Sequence, residues 1–429
     1  MAFLHEHIIL PLSDLLKGES VHKYLRLQRE AEGWGREKMS AFQNDRLHKL
    51  FAHAASEVPY YQDWFLDHCI DPATAALEQL PVVSKGIMRQ EGIERFAAAH
   101  FPAKERIASR SSGSTGEPFT YFVCREAESV NTAAKLRTWY QGGYRLGDRY
   151  MKIANGSRHG RLKRLQDKVN NCLYVPFYSL DDEALHAILR TIEREKPLFI
   201  RAYPIPLYLL AQYRNNHPDG FHYHPKRVFT TGSTLPAAYR EEIEKAFECD
   251  IIDSYSCEGT PNTYETPAHD GYHVTDYYGI IEVLDNDNRA VSDGIGRVVS
   301  TDLWNLAHPF IRYDTQDLVE VKGGKIQRIM GRESEVLCSA DGTMYTNHNF
   351  SHYFTHEISG IDSYQIIKHR GGGITFRLVV NNQYAPENGR RIIDHWHQYL
   401  KMAVNIAIVD EIPLMHNNKR LTIINETTD

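Results

Sequence analysis

The sequence predicts an α/β fold: a large N-terminal α/β domain with parallel-rich sheets plus a β-rich subdomain, and a small mobile C-terminal α+β domain. Three observations predict it. Between residues 126 and 255, short apolar runs alternate with amphipathic stretches, the pattern of strands joined by crossover helices. From about residue 271 the apolar runs shorten and are separated by Asp, Asn and Gly turns, as in an antiparallel subdomain. After Gly331-Arg332 a third texture begins, with its own strands and helix and enough residues for a separate unit. We therefore expect domains at 1–331 and 332–429, with a hinge at 331–335.

In chain order, residues 20–56 carry apolar positions at helical spacing, such as Leu47, Leu50, Phe51 and Ala54, and Pro59 is expected to end that run. Ser84 is placed to cap the next helix. Phe119–Val123 reads as a strand, 126–142 as a helix and 149–154 as a strand. Helices are then expected at 181–195, 207–213 and 236–247, between strands at 199–202, 227–231 and 250–255. Strands 273–274, 280–284, 296–301 and 318–321 belong to the β-rich part. The C-terminal unit has strands at 363–369, 375–380 and 404–409 and a helix at 386–402.

The chain has 429 residues, 42% hydrophobic and 24% charged, with a net charge of −6. This is an ordinary globular composition. No basic stripe points to nucleic acid, and no apolar run reaches the ~20 residues of a membrane span. The N-terminus lacks a basic segment followed by an apolar core. The six cysteines form no Cys-x-x-Cys pair, as expected for reduced thiols in a cytoplasmic protein.

The most telling stretch is Ser111-Ser112-Gly113-Ser114-Thr115-Gly116-Glu117-Pro118. Glycines let the backbone approach a ligand, consecutive N–H groups form an anion-binding concavity, and Ser112, Ser114 and Thr115 add hydroxyl donors. A polyphosphate suits this loop. It is not a Walker A loop, because no Gly-Lys-Ser/Thr follows. The loops near 110–118, 231–234 and 255–260 are placed to converge on one pocket, since ligands sit at the carboxyl ends of parallel strands.

Six stretches, taken in order, resemble those of the adenylate-forming enzymes, in the branch of phenylacetate–CoA ligases and capsule-biosynthesis adenylyltransferases. The resemblance runs from about residue 40 to 424. Val58-Pro59-Tyr60-Tyr61 with Leu80-Pro81-x-x-Ser84-Lys85 is similar to that branch's N-terminus, and Ser111–Pro118 to its phosphate loop. Thr231-Gly232-Ser233 resembles the loop lining the adenine. Pro309–Leu318 resembles the segment whose Asp, here Asp317, holds the ribose hydroxyls. Gly331-Arg332 resembles the start of the hinge, and Ile412-Pro413 with Lys419-Arg420 the tail carrying the catalytic lysine.

The chain also departs from the pattern. Tyr255-Ser256-Cys257-Glu258-Gly259 has one residue fewer between Tyr and Glu than this branch shows. Either Glu258 is the family's acid after a deletion, the reading we favour, or Gly259 stands where the acid belongs. Gln316 replaces the Gly usual before the ribose Asp, and Ser334-Glu335 stands where two acids are common. Relatives with a cysteine-rich metal-binding insertion have no counterpart here.

The resemblance implies ATP-dependent adenylation of a small carboxylic acid, an aromatic one among the options, with acyl transfer to coenzyme A. An amine, a carrier protein or a sugar is the alternative acceptor, and a degenerate, non-catalytic nucleotide-binding protein is the alternative class. It implies catalytic roles for Lys419, Glu258 and Thr115, with Glu258 holding Mg²⁺. Nucleotide contacts are implied for Ser111, Ser112, Gly113, Ser114, Thr115, Gly116, Gly232, Ser233, Tyr255, Asp317 and Arg332. Tyr140 and Tyr203 are the candidate substrate-pocket residues. ATP, Mg²⁺ and coenzyme A are the expected cofactors, and a homodimer is among the expected partners. His348, His352 and His356 fall at i, i+4 and i+8, where a solvated helix face outweighs a metal site. Cys257 is expected to be a packed thiol.

Overall fold

The computed structural model describes residues 2–110, 120–155, 160–177, 182–332, 337–340, 344–345, 350, 353–354, 357–412 and 422–426. The Ser/Gly loop with Thr115, the three histidines at 348–356 and Lys419 lie outside these residues.

The expected first helix is two. Val21–Glu32 and Arg36–Glu57 are separated at Gly33-Trp34-Gly35; the second ends directly before Pro59, as expected, and Pro59 itself opens a third helix, Pro59–Asp67. Proline at the first helical turn loses no intrahelical hydrogen bond, so it starts a helix as readily as it ends one. Strand β1 (Val83–Ser84) leads into the helix Lys85–Glu91, where Ser84 Oγ accepts from the Ile87 N–H at 3.3 Å, the cap read from the sequence.

Strands β2 (Arg106–Arg110) and β3 (Thr120–Cys124) pair antiparallel, with Arg110 opposite Thr120. The two ends of the Ser/Gly loop are therefore held side by side. Helix Arg125–Gln141 follows.

The central sheet has seven strands. They are β4 (Tyr150–Asn155), β5 (Cys172–Phe177), β6 (Phe199–Ala202), β7 (Arg227–Thr231), β8 (Ile251–Tyr255), β9 (Thr263–Glu265) and β10 (Tyr272–Val274), in the order β10-β9-β8-β7-β6-β4-β5. From β5 to β8 every pairing is parallel, and β9 and β10 join antiparallel. Met151, Ile153, Ile200 and Val228 of the strands pack against Ile192, Leu207, Ile243 and Phe247 of the crossover helices. The sequence reading missed β5, which contains Pro176; a proline weighs against a strand except at a sheet edge, where β5 lies.

The second sheet holds β11 (Gly279–Leu284), β12 (Gly294–Asp302), β13 (Tyr313–Lys322) and β14 (Lys325–Arg332), paired antiparallel, with β1 parallel to β13. After the short pair β15 (Leu337–Cys338) and β16 (Met344–Tyr345), the C-terminal unit has β17 (Ile361–Lys368), β18 (Ile374–Val380), β19 (Val404–Ile408) and β20 (Ile423–Asn425), in the order β19-β18-β17-β20. Helix Pro386–Leu400 buries Ile392, Trp396 and Leu400 against it, in a core separate from those of the larger part. The expected domain boundary thus falls at the last residue of β14.

A buried acid stands in the middle of β8. Asp253 accepts from the Tyr272 hydroxyl at 2.7 Å and from the Thr230 hydroxyl, while Glu265 accepts from the Asp253 N–H at 3.1 Å and from Arg240 at 2.6 Å. Burial first, and then the Glu265 charge, pushes the Asp253 carboxyl up to about 7. The unfolded chain ionises this group near pH 4, before the native state does, so its contribution to stability falls as pH rises from about 4 to about 7. Asp253→Asn removes that dependence. Thermal melts should show the variant's Tm rising relative to wild type across this interval and levelling above it; a difference that stays constant with pH would contradict the assignment.

Candidate functional site

The end of β8 presents two faces. Successive strand residues point to opposite sides, so Tyr255 faces one way and Ser254 and Ser256 the other. Tyr255 reaches the second sheet, while Ser254 and Ser256 line a cavity beside the parallel strands.

On the first face, Asp317 is 7% exposed and accepts from the Tyr255 hydroxyl at 2.7 Å. Arg332 lies directly across the ladder from it, with Nε at 3.5 Å from Oδ1. A bulge aims the carboxylate. Between Val299 opposite Asp314 and Arg297 opposite Leu318, β13 takes four steps where β12 takes two. Thr315 Oγ1 accepts the Asp317 N–H at 3.1 Å and donates to the Val298 carbonyl at 3.0 Å, and Asp314 accepts the Gln316 N–H at 2.9 Å. Gln316 has φ +60°, so its position requires the left-handed backbone that glycine adopts without strain. That is the physical reason for the glycine expected there. Burial first, and then the Asp317 charge, raises the Tyr255 phenol well above its ordinary value, so Tyr255 stays a proton donor to Asp317.

The turn after β8 carries Cys257, Glu258 and Gly259. The Cys257 N–H donates to Thr260 Oγ1 at 2.6 Å, and the Thr260 hydroxyl donates back to the Cys257 carbonyl at 2.7 Å. Burial first, and then the Asp317 charge, pushes the Cys257 thiol up; it is a packed, protonated thiol. Gly259 has φ +68°, and a Cβ there would overlap the Phe310 ring. No side chain fits at 259, and Glu258 is the acidic residue that this turn carries. Its charge reaches Lys85, Tyr121 and Tyr313. Burial, with Arg89 second, pulls the Lys85 ammonium down while Glu258 opposes. Burial raises the Tyr121 phenol to about 12. Glu258 thus faces β3, the helix after β1 and β13. Among the described residues, no group of three or more His, Cys, Asp or Glu is placed to hold a metal ion. A single carboxylate facing β3, the strand that follows the polyphosphate-loop candidate in the chain, suits Mg²⁺ shared with substrate phosphates rather than held by an all-protein cage.

On the second face is a cavity of about 530 Å³. Its floor is the carboxyl ends of the parallel strands: Lys152 and Ala154 of β4, Tyr174 of β5, Arg201 of β6, Thr231 of β7 and Ser254 of β8. Its wall is helix Arg125–Gln141, which contributes Thr132, Lys135, Leu136 and Trp139 at helical spacing. Asn262 donates to Thr138 Oγ1 at 2.6 Å at the rim. Gly232, with φ +82°, leaves room for the Tyr203 ring, which a Cβ would strike.

The structure therefore gathers Tyr255, Glu258, Asp317 and Arg332 into one cluster, and Gly232 and Tyr203 at the adjoining cavity; Ser233 follows Gly232 in the chain. Tyr140 is elsewhere. One residue on from Trp139, it is rotated away from the cavity, stacks on Tyr144, and its buried hydroxyl has no hydrogen-bond partner among the described residues. Ser111–Gly116 and Lys419 lie outside the described residues. The sequence reading missed Lys85, Lys135, Lys152 and Arg201 as site residues. Lys85 could have been found from its place beside the Ser84 cap; the other three could not, because their meeting depends on strand order.

The fit around Gly259 gives a direct check. Gly259→Ala forces a side chain into Phe310 at a left-handed backbone position, and should cost about 3 kcal/mol in urea unfolding. A loss below about 1 kcal/mol would mean that the turn is not packed as described.

No family model matches the chain. Protein CapK of Staphylococcus aureus is 21% identical over 365 residues, spanning 81% of this chain and 79% of that protein. Among solved structures, 2-hydroxyisobutyryl-CoA ligase in its postadenylation state, in complex with 2-HIB-AMP, superposes with a TM-score of 0.71 at 18% identity, covering 91% of this chain and 90% of that one. The same ligase in its thioesterification state and in an open conformation gives 0.58 and 0.56. The anthranilate CoA ligase AuaEII gives 0.54 at 17% identity over 76% of this chain and 67% of its own, and ATP-bound MatB from Rhodopseudomonas palustris gives 0.55 at 15% over 76% and 69%. The fold of this chain is that of the adenylate-forming acid–CoA ligases.

Proposed function

We propose that this protein activates a small carboxylic acid with ATP and transfers the acyl group to a thiol, coenzyme A being the acceptor. One observation carries the reading: Asp317, Tyr255 and Arg332 meet on one side of β8's end while a cavity of acid-ligand size opens on the other. A nucleotide and an acid bound on these two sides would meet at the strand end.

In the first step a carboxylate oxygen attacks the α-phosphorus of ATP and pyrophosphate leaves. In the second the thiol sulfur attacks the acyl carbon, AMP leaves with the bonding pair, and the thiol proton goes to solvent. Two anions must approach in line in the first step, so catalysis is chiefly positioning and charge stabilisation. Asp317, already buried and hydrogen-bonded, accepts from the ribose hydroxyls. Gly232, which also borders the cavity, and Ser233 line the adenine, so that the base reaches the cavity's edge, and Ser111–Gly116, Thr115 among them, hold the phosphates. Glu258 is the residue that would hold Mg²⁺, which supplies charge neutralisation on the phosphate oxygens. Lys419 approaches the reacting carboxylate as a point charge carried by the C-terminal unit.

Acid-dependent exchange of labelled pyrophosphate into ATP tests the reading, run over a panel of carboxylic acids with and without coenzyme A. Lys419→Ala should slow exchange by on the order of 10²-fold while leaving ATP affinity nearly unchanged. Glu258→Gln should raise the Mg²⁺ concentration needed for half-maximal exchange. ATP binding without exchange for any acid would instead favour a non-catalytic nucleotide-binding protein. Exchange without coenzyme A-dependent AMP release would move the acceptor to an amine, a carrier protein or a sugar.

A further inference from the structure

A helix precedes the elements described above, and it is turned inside out. Ala2–Leu4, His5–Ile9 and Leu10–Lys17 follow one another without a break, the middle piece with π geometry, and Gly18, at φ +64°, ends the run. Its polar side chains face the protein. His5 Nε2 donates to the Val169 carbonyl at 2.9 Å, and its ring fills the space over Gly147 that a Cβ would occupy. Glu6 pairs with Arg29. Asp14, buried, accepts from the His22 N–H at 2.9 Å and from the His22 ring at 2.7 Å. Arg125 donates to the Lys17 carbonyl at 2.6 Å.

Its apolar side chains face outward. Leu4, Ile8, Leu12, Leu15 and Leu16 recur at three- and four-residue spacing, with Phe3 beside the first, and all are exposed: Phe3 at 74%, Leu15 at 80% and Leu16 at 86%. His7 is the one polar residue exposed among them. An ordinary surface helix shows the reverse arrangement, and a contiguous apolar patch of this kind marks an interaction site. Two more exposed apolar residues stand beside the helix's first turns. Val169, whose carbonyl receives His5, ends the helix Arg161–Val169, on which Leu165 and Val169 are exposed four residues apart. On that helix Lys163, Arg164 and Lys168 are exposed, while its one acid, Asp167, is buried.

Charge selects the occupant. At one end of the stripe, among the described residues, Lys163, Arg164 and Lys168 outweigh the acids, since Arg145 and Asp148 near Gly147 offset each other. At the other end Lys17, Lys104 and Arg125 stand against Glu19 and Glu105; Arg125 also reaches the Lys104 carbonyl at 3.3 Å. Both ends are positive, the first strongly so. A second copy of the chain laid along the stripe, in either direction, would set one positive end against another. A layer of anionic lipid complements both ends and the apolar middle at once. Shape agrees with charge. Side chains as open as Leu15 and Leu16 form a ridge, and a ridge enters a fluid layer without a matching groove.

We propose that this face docks on an anionic phospholipid surface. The helix lies in the plane of the interface with its apolar side chains in the acyl boundary, and Lys163, Arg164 and Lys168 meet the headgroup phosphates. The proposal does not depend on the adenylation reading.

Co-sedimentation of the full chain with vesicles tests it, using phosphatidylcholine with and without phosphatidylglycerol. Partition onto the anionic vesicles should be at least ~10-fold stronger, and should weaken as salt is raised. The double substitution Leu15→Gln with Leu16→Gln adds no charge and should lower partition onto the anionic vesicles at least ~10-fold. Lys163→Gln with Lys168→Gln should cut the preference for anionic vesicles at least ~5-fold. All four side chains are exposed, so Tm should not move; the lipid and salt dependence of the unaltered protein tests the same claim without any substitution. Failure to partition onto anionic vesicles, equal partition onto both kinds, or binding untouched by the leucine pair would overturn the proposal. So would a protein that ignores vesicles and sediments as a dimer dispersed by the leucine pair, because the face would then belong to a second copy. Vesicle binding as described in a protein without pyrophosphate exchange would remove the adenylation reading and leave this one standing.

Discussion

One buried carboxylate ties the larger part of this protein together. Asp317 accepts the Tyr255 hydroxyl from the central sheet and faces Arg332 across the antiparallel sheet. The contact joins the end of β8, the bulge of β13 and the last residue of β14. A carboxylate can be held at 7% exposure only where donors replace its water, and each donor here comes from a different segment. Burial that keeps Tyr255 protonated guarantees one of them. The bulge is built to serve the same point: Thr315 and Asp314 take the backbone N–H groups freed where the ladder slips, and the left-handed backbone at Gln316 turns the chain.

The end of β8 is therefore the common wall of two sites. Strand alternation sends Tyr255 to the carboxylate cluster and Ser254 and Ser256 to the cavity. The turn that follows has no room for adjustment, because Gly259 is packed on Phe310 and its carbonyl accepts from the Ser300 hydroxyl at 3.0 Å. Rigidity there fixes Glu258 relative to both sites, which suits chemistry that depends on positioning.

Much of this was legible in the sequence, for reasons that differ by residue. The parallel strands showed as short apolar runs between amphipathic helices, and their ends carried the glycines and hydroxyls that mark ligand loops. Asp317 and Tyr255 sat in stretches that resemble those of a known family. The spacing between Tyr255 and Glu258, one residue shorter than the resembled pattern, left two registers open, and the Phe310 ring fills the space beside Gly259. The split of the first helix at Gly33–Gly35 and the new start at Pro59 went unread because apolar spacing continues through both breaks. The lining of the cavity was invisible for a deeper reason. Lys135, Lys152 and Arg201 are far apart in the chain, and they meet only because β6 lies beside β4 and helix Arg125–Gln141 covers that end of the sheet. Strand order is a tertiary property that local pattern does not encode. Tyr140, one residue on from Trp139, is turned by one helical step away from that cavity.

The account stands on Asp317 receiving the sugar of a nucleotide. The most direct measurement is a cycle comparing ATP with 2′,3′-dideoxy-ATP, by calorimetry, in the wild-type protein and in Asp317→Ala. Hydrogen bonds to a charged group contribute about 1.5–3 kcal/mol each. The wild type should therefore bind ATP on the order of 10²-fold more tightly than the dideoxy analogue, and the variant should bind the two alike. Equal discrimination in both proteins would place the sugar elsewhere and leave the Asp317 cluster a structural junction only.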